Sequence, residues 1–150
     1  MADLTSDETQ GVAALAVEFS WLIDHAAGEG VSALFTPDGV YGYQGFEMNG
    51  TAAIDAFYRE RRERGKRLSR HLFSPARLKR ADDGSISAWS SLTLFAADGV
   101  PPFPATATAI MDYRDQIVRV GSDFRFARRW VTPLFGHMPQ LVAAQKTGEH

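Results

Sequence analysis

The sequence predicts an α+β fold, a cone-shaped barrel in which N-terminal helices pack on a strongly curved, mainly antiparallel sheet. Helical patterns end by residue 64, and extended segments follow Gly65. This segregation of helices from strands along the chain is typical of the α+β class. The extended segments run to about 10–14 residues, which is long for strands. We expect long strands in a bent sheet to enclose an interior that the helices close on one side.

The first helix is predicted over residues 7–27. Residues 5–8 have the form of a capping box, with Thr5 at the N-cap and Glu8 three positions later. Apolar residues then recur at helical spacing, at Val12, Leu15, Ala16, Phe19, Leu22 and Ile23. Gly28 and Gly30 interrupt the pattern, and a short helical turn over residues 29–35 ends at a turn signal, residues 36–39.

A short hairpin and another helix are predicted next. Residues 40–44 alternate in the manner of a strand, and residues 46–49 are expected to pair back on it around Gly45. The helix follows over residues 52–64. Its apolar side carries Ile54, Phe57 and Tyr58, and charged residues cover the other side.

Four extended segments are predicted after Gly65, over residues 68–81, 85–96, 104–113 and 117–130. Turn residues at 82–84, 98–99 and 114–116 separate them, which predicts an antiparallel meander. Pro75 and Gly121 lie within two of the segments and are candidates for bulges or bends. The tail, residues 131–150, contains two prolines and is expected to be irregular.

The chain length predicts a single domain over residues 1–150, with an ordered core at about 7–139. The net charge is −2, from 16 basic and 18 acidic residues, which argues against a nucleic-acid or membrane-surface partner. The absence of cysteine excludes disulfides, thiolate metal sites and a cysteine nucleophile. The N-terminus is acidic and polar, unlike a secretory signal, so a cytoplasmic location is expected.

The basic run of residues 59–70 is interpreted as a solvated helix face and its exit turn. It holds seven basic residues, but Glu60 and Glu63 interleave with them. No aromatic stacking platform accompanies the run, so no nucleic-acid partner is expected.

His71 and Asp24 are the leading candidates for chemistry. His71 lies in an extended segment, and an imidazole there can act as a general base near neutral pH. Asp24 lies late in the first helix, where the helix dipole and burial both disfavour a carboxylate. If the helix closes the cone, Asp24 can meet His71 and fix its tautomer. A structural histidine and a capping or surface aspartate are the alternatives.

Two further pairs of residues are less specific indicators of a functional site. Tyr41 and Tyr43 share one face of a strand, and aromatic packing is the favoured interpretation for Tyr41. Ser90 and Ser91 place one hydroxyl on each face of their strand, without the motif of a serine nucleophile.

Arg125 and Arg129 are four residues apart on the last strand and are expected to share one face, either at a solvated edge or as anion ligands. The sequence contains no phosphate-binding loop, no dinucleotide glycine pattern and no paired-histidine metal motif. We therefore expect neither a cofactor nor a metal.

Several short motifs carry a family resemblance: Ile23-Asp24, residues 34–38, Gly50 before a helix, and Arg70-His71-Leu72 before the meander. Over residues 7–139, their order resembles the nuclear transport factor 2-like superfamily. More narrowly, it resembles the SnoaL-like branch, which includes scytalone dehydratase and hexachlorocyclohexane dehydrochlorinase.

The resemblance implies that Asp24 and His71 form a proton-abstracting dyad. It also implies that Tyr43 holds a water on the carbonyl side of a substrate and that Arg129 lies near a leaving group. Homodimers or homotrimers are implied as well. The chain departs from the dehydratase at Ser90, where that enzyme has a second catalytic histidine, and at Ile23, where it has a tyrosine. At Phe19 it departs from the dehydrochlorinase, which has a lysine there.

These observations lead to the hypothesis of a cofactor-independent lyase or isomerase that uses the Asp-His dyad on a small, cyclic, largely apolar molecule. The residues expected to line its cavity are Phe19, Trp21, Phe57, Phe73, Trp89 and Ser90. The alternatives are a non-catalytic protein that binds a small hydrophobic ligand, and an assembly subunit of the same fold.

Overall fold

Helix α1 (Ser6–Ala26) begins at the predicted capping box. In the computed structural model, which describes residues 3–136, the Thr5 hydroxyl accepts the Glu8 N–H at 3.1 Å. The Glu8 carboxylate accepts the Thr5 N–H at 2.8 Å. The helix ends where Ala27 and Gly28 adopt positive φ angles of 51° and 82°. Its buried stripe consists of Val12, Leu15, Phe19 and Ile23.

Helix α2 (Thr51–Glu63) follows a short 3₁₀ helix (Val31–Leu34) and the first strands. Its apolar side is buried as predicted. Arg61 is also buried, with only 5% of its surface exposed, so the interpretation of the basic run as a solvated face is wrong at this residue. Helical spacing explains the difference, because position 61 lies on the same face as Tyr58 and Phe57.

Seven strands form one curved sheet. They are β1 (Phe35–Tyr43), β2 (Phe46–Asn49), β3 (Arg67–Phe73), β4 (Arg77–Arg80), β5 (Ile86–Asp98), β6 (Ala109–Val120) and β7 (Asp123–Gly136). The order is β2-β1-β7-β6-β5-β3, and β4 also pairs with β5. Only the pairing of β1 with β7 is parallel. The predicted α+β class is confirmed, as is the antiparallel run through β5, β6 and β7.

The predicted strand ends are wrong at two places. Residues 114–116, predicted as a turn, lie in the middle of β6, and the chain reverses at Gly121 instead. The inward positions of β6 continue through this stretch as Met111, Tyr113, Asp115 and Ile117. The predicted segment 68–81 is split into β3 and β4 by residues 74–76, so Pro75 lies between strands. Alternation of buried and exposed positions therefore outweighs the local turn preference of residues 114–116.

Two further differences concern β1 and β7. The turn signal at residues 36–39 is a bulge within β1, since the register against β7 shifts between Phe35 and Val40. Strand β7 runs through residues 131–136, which the sequence predicted as irregular tail. The rest of that tail, with Pro139, lies outside the described residues. Within residues 3–136, neither helix combines the length and apolar character needed to cross a bilayer.

Glu8 links α1 to the sheet through an ion pair. Replacing its carboxylate is expected to destabilise the fold by an amount that depends on pH. Its carboxylate lies 2.6 Å from the Arg80 guanidinium on β4. The hydrogen bond from Arg80, together with the Thr5 N–H, lowers the pKa of Glu8 from 4.5 to about 2. A lowered folded-state pKa stabilises the protein above pH 4.5, and the effect is lost as the pH falls towards 2.

We therefore expect Glu8→Gln to lower the Tm by a few degrees at pH 7. The difference from the wild type should shrink as the pH is lowered through this range, as measured by circular dichroism. Glu47→Gln, at an exposed position on β2, is the control and should change little. If the Tm of Glu8→Gln stayed below that of the wild type by the same amount at every pH, the stabilising role given to the Glu8 carboxylate would be contradicted.

Candidate active site

Asp24 and His71 form a hydrogen-bonded pair between α1 and β3. Oδ1 of Asp24 lies 2.6 Å from Nδ1 of His71, and Oδ2 accepts the backbone N–H of His71 at 2.8 Å. Ser69 donates its hydroxyl to Oδ1 at 2.8 Å. Because a carboxylate only accepts hydrogen bonds, the neutral imidazole carries its proton on Nδ1. Nε2 is the other ring nitrogen, and within residues 3–136 it makes no hydrogen bond.

The periodicity of β3 explains how these groups meet. Ser69, His71 and Phe73 are the more buried positions of the strand, and the residues between them are exposed. Since side chains alternate across a strand, all three point towards α1. Asp24 follows the buried Ile23 in the last turns of α1, so it faces the same strand. The carboxylate and the imidazole are thus held by two regular elements.

Asp24 is stabilised as a carboxylate despite its burial. Its side chain is 7% exposed and that of His71 is 12% exposed. Burial raises the pKa of Asp24, but the hydrogen bonds from the His71 ring, the His71 backbone and Ser69 outweigh it, and the pKa lies below its ordinary value. The pair therefore has the arrangement in which a carboxylate orients an imidazole base.

His71 lines a cleft of about 610 Å³ between α1 and the sheet, which we call the dyad cleft. Its walls come from α1, from residues 71–78 and from the inner face of the sheet. Most of the lining is apolar. Lining residues from the three walls include Ala16, Val17, His71, Phe73, Ser90, Asp115 and Arg129.

Arg129 and Asp115 form a buried ion pair in this cleft. Nε and Nη2 of Arg129 donate to the two carboxylate oxygens of Asp115 at 2.8 and 3.0 Å. Nη1 is buried and makes no hydrogen bond within residues 3–136. Four aromatic rings lie 4.3 to 5.0 Å from the guanidinium carbon, those of Phe19, Phe73, Tyr113 and Phe126. Burial raises the pKa of Asp115. The charge of Arg129 and its hydrogen bonds lower this pKa, but burial has the larger effect.

A bulge in β7 determines which arginine faces the interior. Phe126 pairs with Ile117 and Arg128 with Gln116, so Ala127 is the extra residue. The extra residue reverses the alternation, and Arg129 points inward while Arg125 pairs with Asp123 near the surface. The expectation that Arg125 and Arg129 share one face is therefore wrong.

The predicted lining residues fall into three groups. Phe73 and Ser90 line the dyad cleft. Phe19 is fully buried and packs against Arg129, as part of the core. Ser90 is an inward position on β5, and within residues 3–136 no hydrogen bond engages its hydroxyl.

Trp21 and Trp89 do not line the cavity. Trp21 is 57% exposed and stacks on His25 at 4.1 Å, because its position on α1 is turned away from the buried stripe. Trp89 is 44% exposed at an outward position of β5, where Arg114 lies over its ring.

Tyr43 and Phe57 are not among the residues that line the dyad cleft. The ring of Tyr43 packs near Phe46, and its hydroxyl is buried with no hydrogen-bond partner within residues 3–136. Burial raises the pKa of Tyr43. Phe57 is buried against Phe46 and Tyr58. Tyr41 packs in the core, as expected.

Sequence reasoning missed Ser69 and Asp115. Ser69 lies two residues before His71, so strand alternation would have placed the two side chains together. The sequence predicts a turn at Asp115, although the inward positions on either side of it continue the alternation of a strand. Among the described residues, no cluster of His, Asp and Glu side chains is arranged to hold a metal ion.

Comparison with protein families gives a match over most of the chain. The model of the SnoaL-like domain matches residues 5–130. No curated protein matches the sequence significantly.

Solved structures with the same fold come from several bacteria. A protein from Catenulispora acidiphila, solved in complex with S-DNPA, is 25% identical with a TM-score of 0.69, over 83% of this chain and 91% of that chain. ActVI-ORFA from Streptomyces coelicolor is 23% identical with a TM-score of 0.74, over 84% and 96%. A candidate scytalone dehydratase from Novosphingobium aromaticivorans is 18% identical with a TM-score of 0.73, over 85% of each chain.

Proposed function

The chain belongs to the SnoaL-like domain family, and on that premise we propose that it is a cofactor-independent lyase. Its Asp24–His71 dyad abstracts a proton from a small, cyclic, largely apolar substrate. The observation that carries the proposal is the 2.6 Å contact between Asp24 and Nδ1 of His71, at the wall of an apolar cleft.

The proton transfer follows from the tautomer of His71. With the proton on Nδ1, the lone pair of Nε2 takes a proton from a substrate carbon, and Asp24 stabilises the imidazolium that forms. The electron pair of the C–H bond becomes the new carbon–carbon double bond. Hydroxide or halide departs from the neighbouring carbon with its bonding pair. When hydroxide leaves, the imidazolium returns the proton and water is released.

Two other groups are proposed to act on the substrate. The Ser90 hydroxyl, which has no hydrogen bond within the described residues, donates to a substrate oxygen. Arg129 supplies positive charge near the leaving group, with Nη1 the guanidinium nitrogen not used by Asp115. Tyr43, which the family resemblance placed on the carbonyl side of a substrate, does not line the dyad cleft, so it is given no part in this step. A site with few water molecules strengthens each of these interactions.

A direct test is turnover on a panel of small cyclic alcohols and halides whose C–H bond is activated by a neighbouring carbonyl. We expect elimination, with a primary deuterium isotope effect when that C–H is replaced by C–D. Turnover without an isotope effect in either kcat or kcat/KM would count against proton abstraction as the rate-limiting step assigned to His71. Saturable binding across the panel with no turnover would replace the proposal by its alternative.

The alternative is a protein that holds a small hydrophobic molecule without converting it. It is supported by the mostly apolar lining of the dyad cleft, which fits a small hydrophobic ligand as well as it fits a substrate. The Catenulispora acidiphila protein, which has the same fold, was solved in complex with S-DNPA. The isotope experiment separates the two functions, because only catalysis breaks the C–H bond.

A further inference from the structure

A second cleft adjoins Asp24 at the ends of α1 and α2 and the start of β3. Its volume is about 560 Å³, and no residue that lines it also lines the dyad cleft. We call it the basic cleft, because among the described residues four arginine and lysine side chains line it, together with one histidine and one carboxylate. These are Arg61, Arg62, Lys66, Arg67, His25 and Asp24.

Arg61 is the unusual member of the basic cleft. It is only 5% exposed, yet within residues 3–136 its guanidinium makes no hydrogen bond and no ion pair. Burial and the nearby charge of Arg67 lower the pKa of Arg61, while Tyr58 and the charge of Asp98 act in the opposite direction without outweighing them. Arginine nevertheless keeps its charge in proteins, so the largely buried side chain of Arg61 carries a cation that no carboxylate within residues 3–136 pairs with directly. Such a group is costly unless something pairs with it.

The neighbouring carboxylates offset only part of this charge. Arg67 is 3.9 Å from Asp98, whose side chain is 74% exposed. Lys66 adds a further positive charge. The carboxylate of Asp24 is already engaged by His71 and Ser69. The basic cleft therefore has an excess of positive charge, which a bound anion would offset.

A role in capping helices explains Arg62 but not Arg61. Basic residues are favourable in the last turn of a helix, because they complement its dipole. Arg62 does this directly, since its Nη1 donates to the carbonyl of Ala27 at the end of α1 at 3.4 Å. Arg61 also lies in the last turn of α2, but within residues 3–136 its guanidinium donates to no carbonyl.

We propose that the basic cleft binds the oxyanion of a small organic molecule, a carboxylate or a phosphate monoester, with Arg61 as its main ligand. The guanidinium presents a planar fork of N–H donors that matches the oxygens of either group. The volume of the basic cleft exceeds that of a lone anion, and Ile23 and Leu68 provide apolar wall for an organic substituent. This inference does not depend on the proposed lyase activity.

The test is an NMR titration of the ¹⁵N-labelled protein with benzoate, with phenyl phosphate and, as the neutral comparison, with benzyl alcohol. We expect saturable shifts at the amides of Gly65 and Gly99, both of which line the basic cleft, with at least one of the two anions. Whichever anion binds more tightly identifies the headgroup. Binding should weaken as the salt concentration rises. Benzyl alcohol should leave these amides unchanged.

Variants at position 61 identify the ligand residue. Arg61→Gln should weaken anion binding by roughly 10- to 100-fold, as expected for the loss of a charged hydrogen-bonding group. Arg61→Lys, which keeps the charge but not the fork, should fall between this variant and the wild type. Arg59→Gln is the matched control on the exposed side of α2, where Arg59 pairs with Asp55, and it should bind as the wild type does.

Thermal stability separates a binding role from a structural one. Removing an unpaired buried charge should leave the Tm of the unliganded Arg61→Gln protein equal to or above that of the wild type. A lower Tm combined with unchanged affinity would overturn the proposal. So would shifts confined to the dyad cleft, or equal responses to the anions and to benzyl alcohol.

Discussion

Replacing Asp24 with asparagine is expected to lower kcat for elimination by about 10²- to 10⁴-fold while leaving the fold intact. The loss should approach that of His71→Ala, even though the imidazole is still present. The two side chains at position 24 have nearly the same shape. The effect therefore comes from hydrogen-bond chemistry and not from packing.

The reason lies in the donors that surround position 24. The backbone N–H of His71 must keep an acceptor, so the amide oxygen of an asparagine takes the position of Oδ2. The amide NH₂ group then faces Nδ1 of His71, where Oδ1 lies in the wild type. Because NH₂ only donates, Nδ1 has to accept and the ring proton moves to Nε2. The nitrogen that should take the substrate proton is then already protonated.

This outcome can be measured with and without a substrate. Long-range ¹H–¹⁵N spectra report which ring nitrogen carries the proton, and we expect Nδ1–H in the wild type and Nε2–H in Asp24→Asn. The control is Asp55→Asn, at a partly exposed carboxylate that pairs with Arg59 on α2. An Asp24→Asn protein with the wild-type tautomer and wild-type kcat would refute the role given to the dyad.

The second large effect is on stability, at the buried pair of Asp115 and Arg129. We expect Asp115→Val to lower the free energy of unfolding by about 3–5 kcal/mol, because the guanidinium would be left buried without its counterion. The pair is almost fully enclosed, with side-chain exposures of 4% for Asp115 and 1% for Arg129. Arginine cannot escape the cost by losing its proton.

The loss of stability caused by Arg129→Met should depend on pH, whereas the loss caused by Asp115→Val should not. In Arg129→Met, the remaining Asp115 can become neutral by taking up a proton, and burial already raises the pKa of this carboxyl. A raised folded-state pKa means that the folded protein retains the proton more readily, so the penalty grows as the pH rises. Arg129→Met should therefore be less destabilising at pH 5 than at pH 8, whereas Asp115→Val should change little between them.

Urea unfolding of the two single variants and of the double variant completes a thermodynamic cycle. The double variant should recover much of the stability lost in Asp115→Val, because it leaves no unpaired charge. The matched control on the same strand is the pair of Asp123 and Arg125, 3.2 Å apart with side chains 63% and 31% exposed. The thermodynamic cycle for Asp123 and Arg125 should give an interaction free energy of at most about 1 kcal/mol. Additive losses at Asp115 and Arg129 would show that the two charges do not stabilise each other.

The sequence by itself determined the features that depend on neighbours along the chain. The capping box placed the start of α1, and helical spacing identified its buried stripe. The extended pattern around His71 was sufficient to place it in a strand. The unusual position of Asp24 beside an apolar stripe made it a candidate before any partner was known.

The tertiary structure alone decided which groups meet and which way several of them point. Asp24 and His71 are 47 residues apart, and their contact depends on the packing of α1 on β3. The bulge at Ala127 turned Arg129 inward and left Arg125 at the surface. Asp115 is tolerated inside β6 because Arg129 arrives from the next strand. Periodicity is a local property of the chain, whereas strand register and ion pairing arise from contacts between distant segments, and these fixed the polar groups of the site.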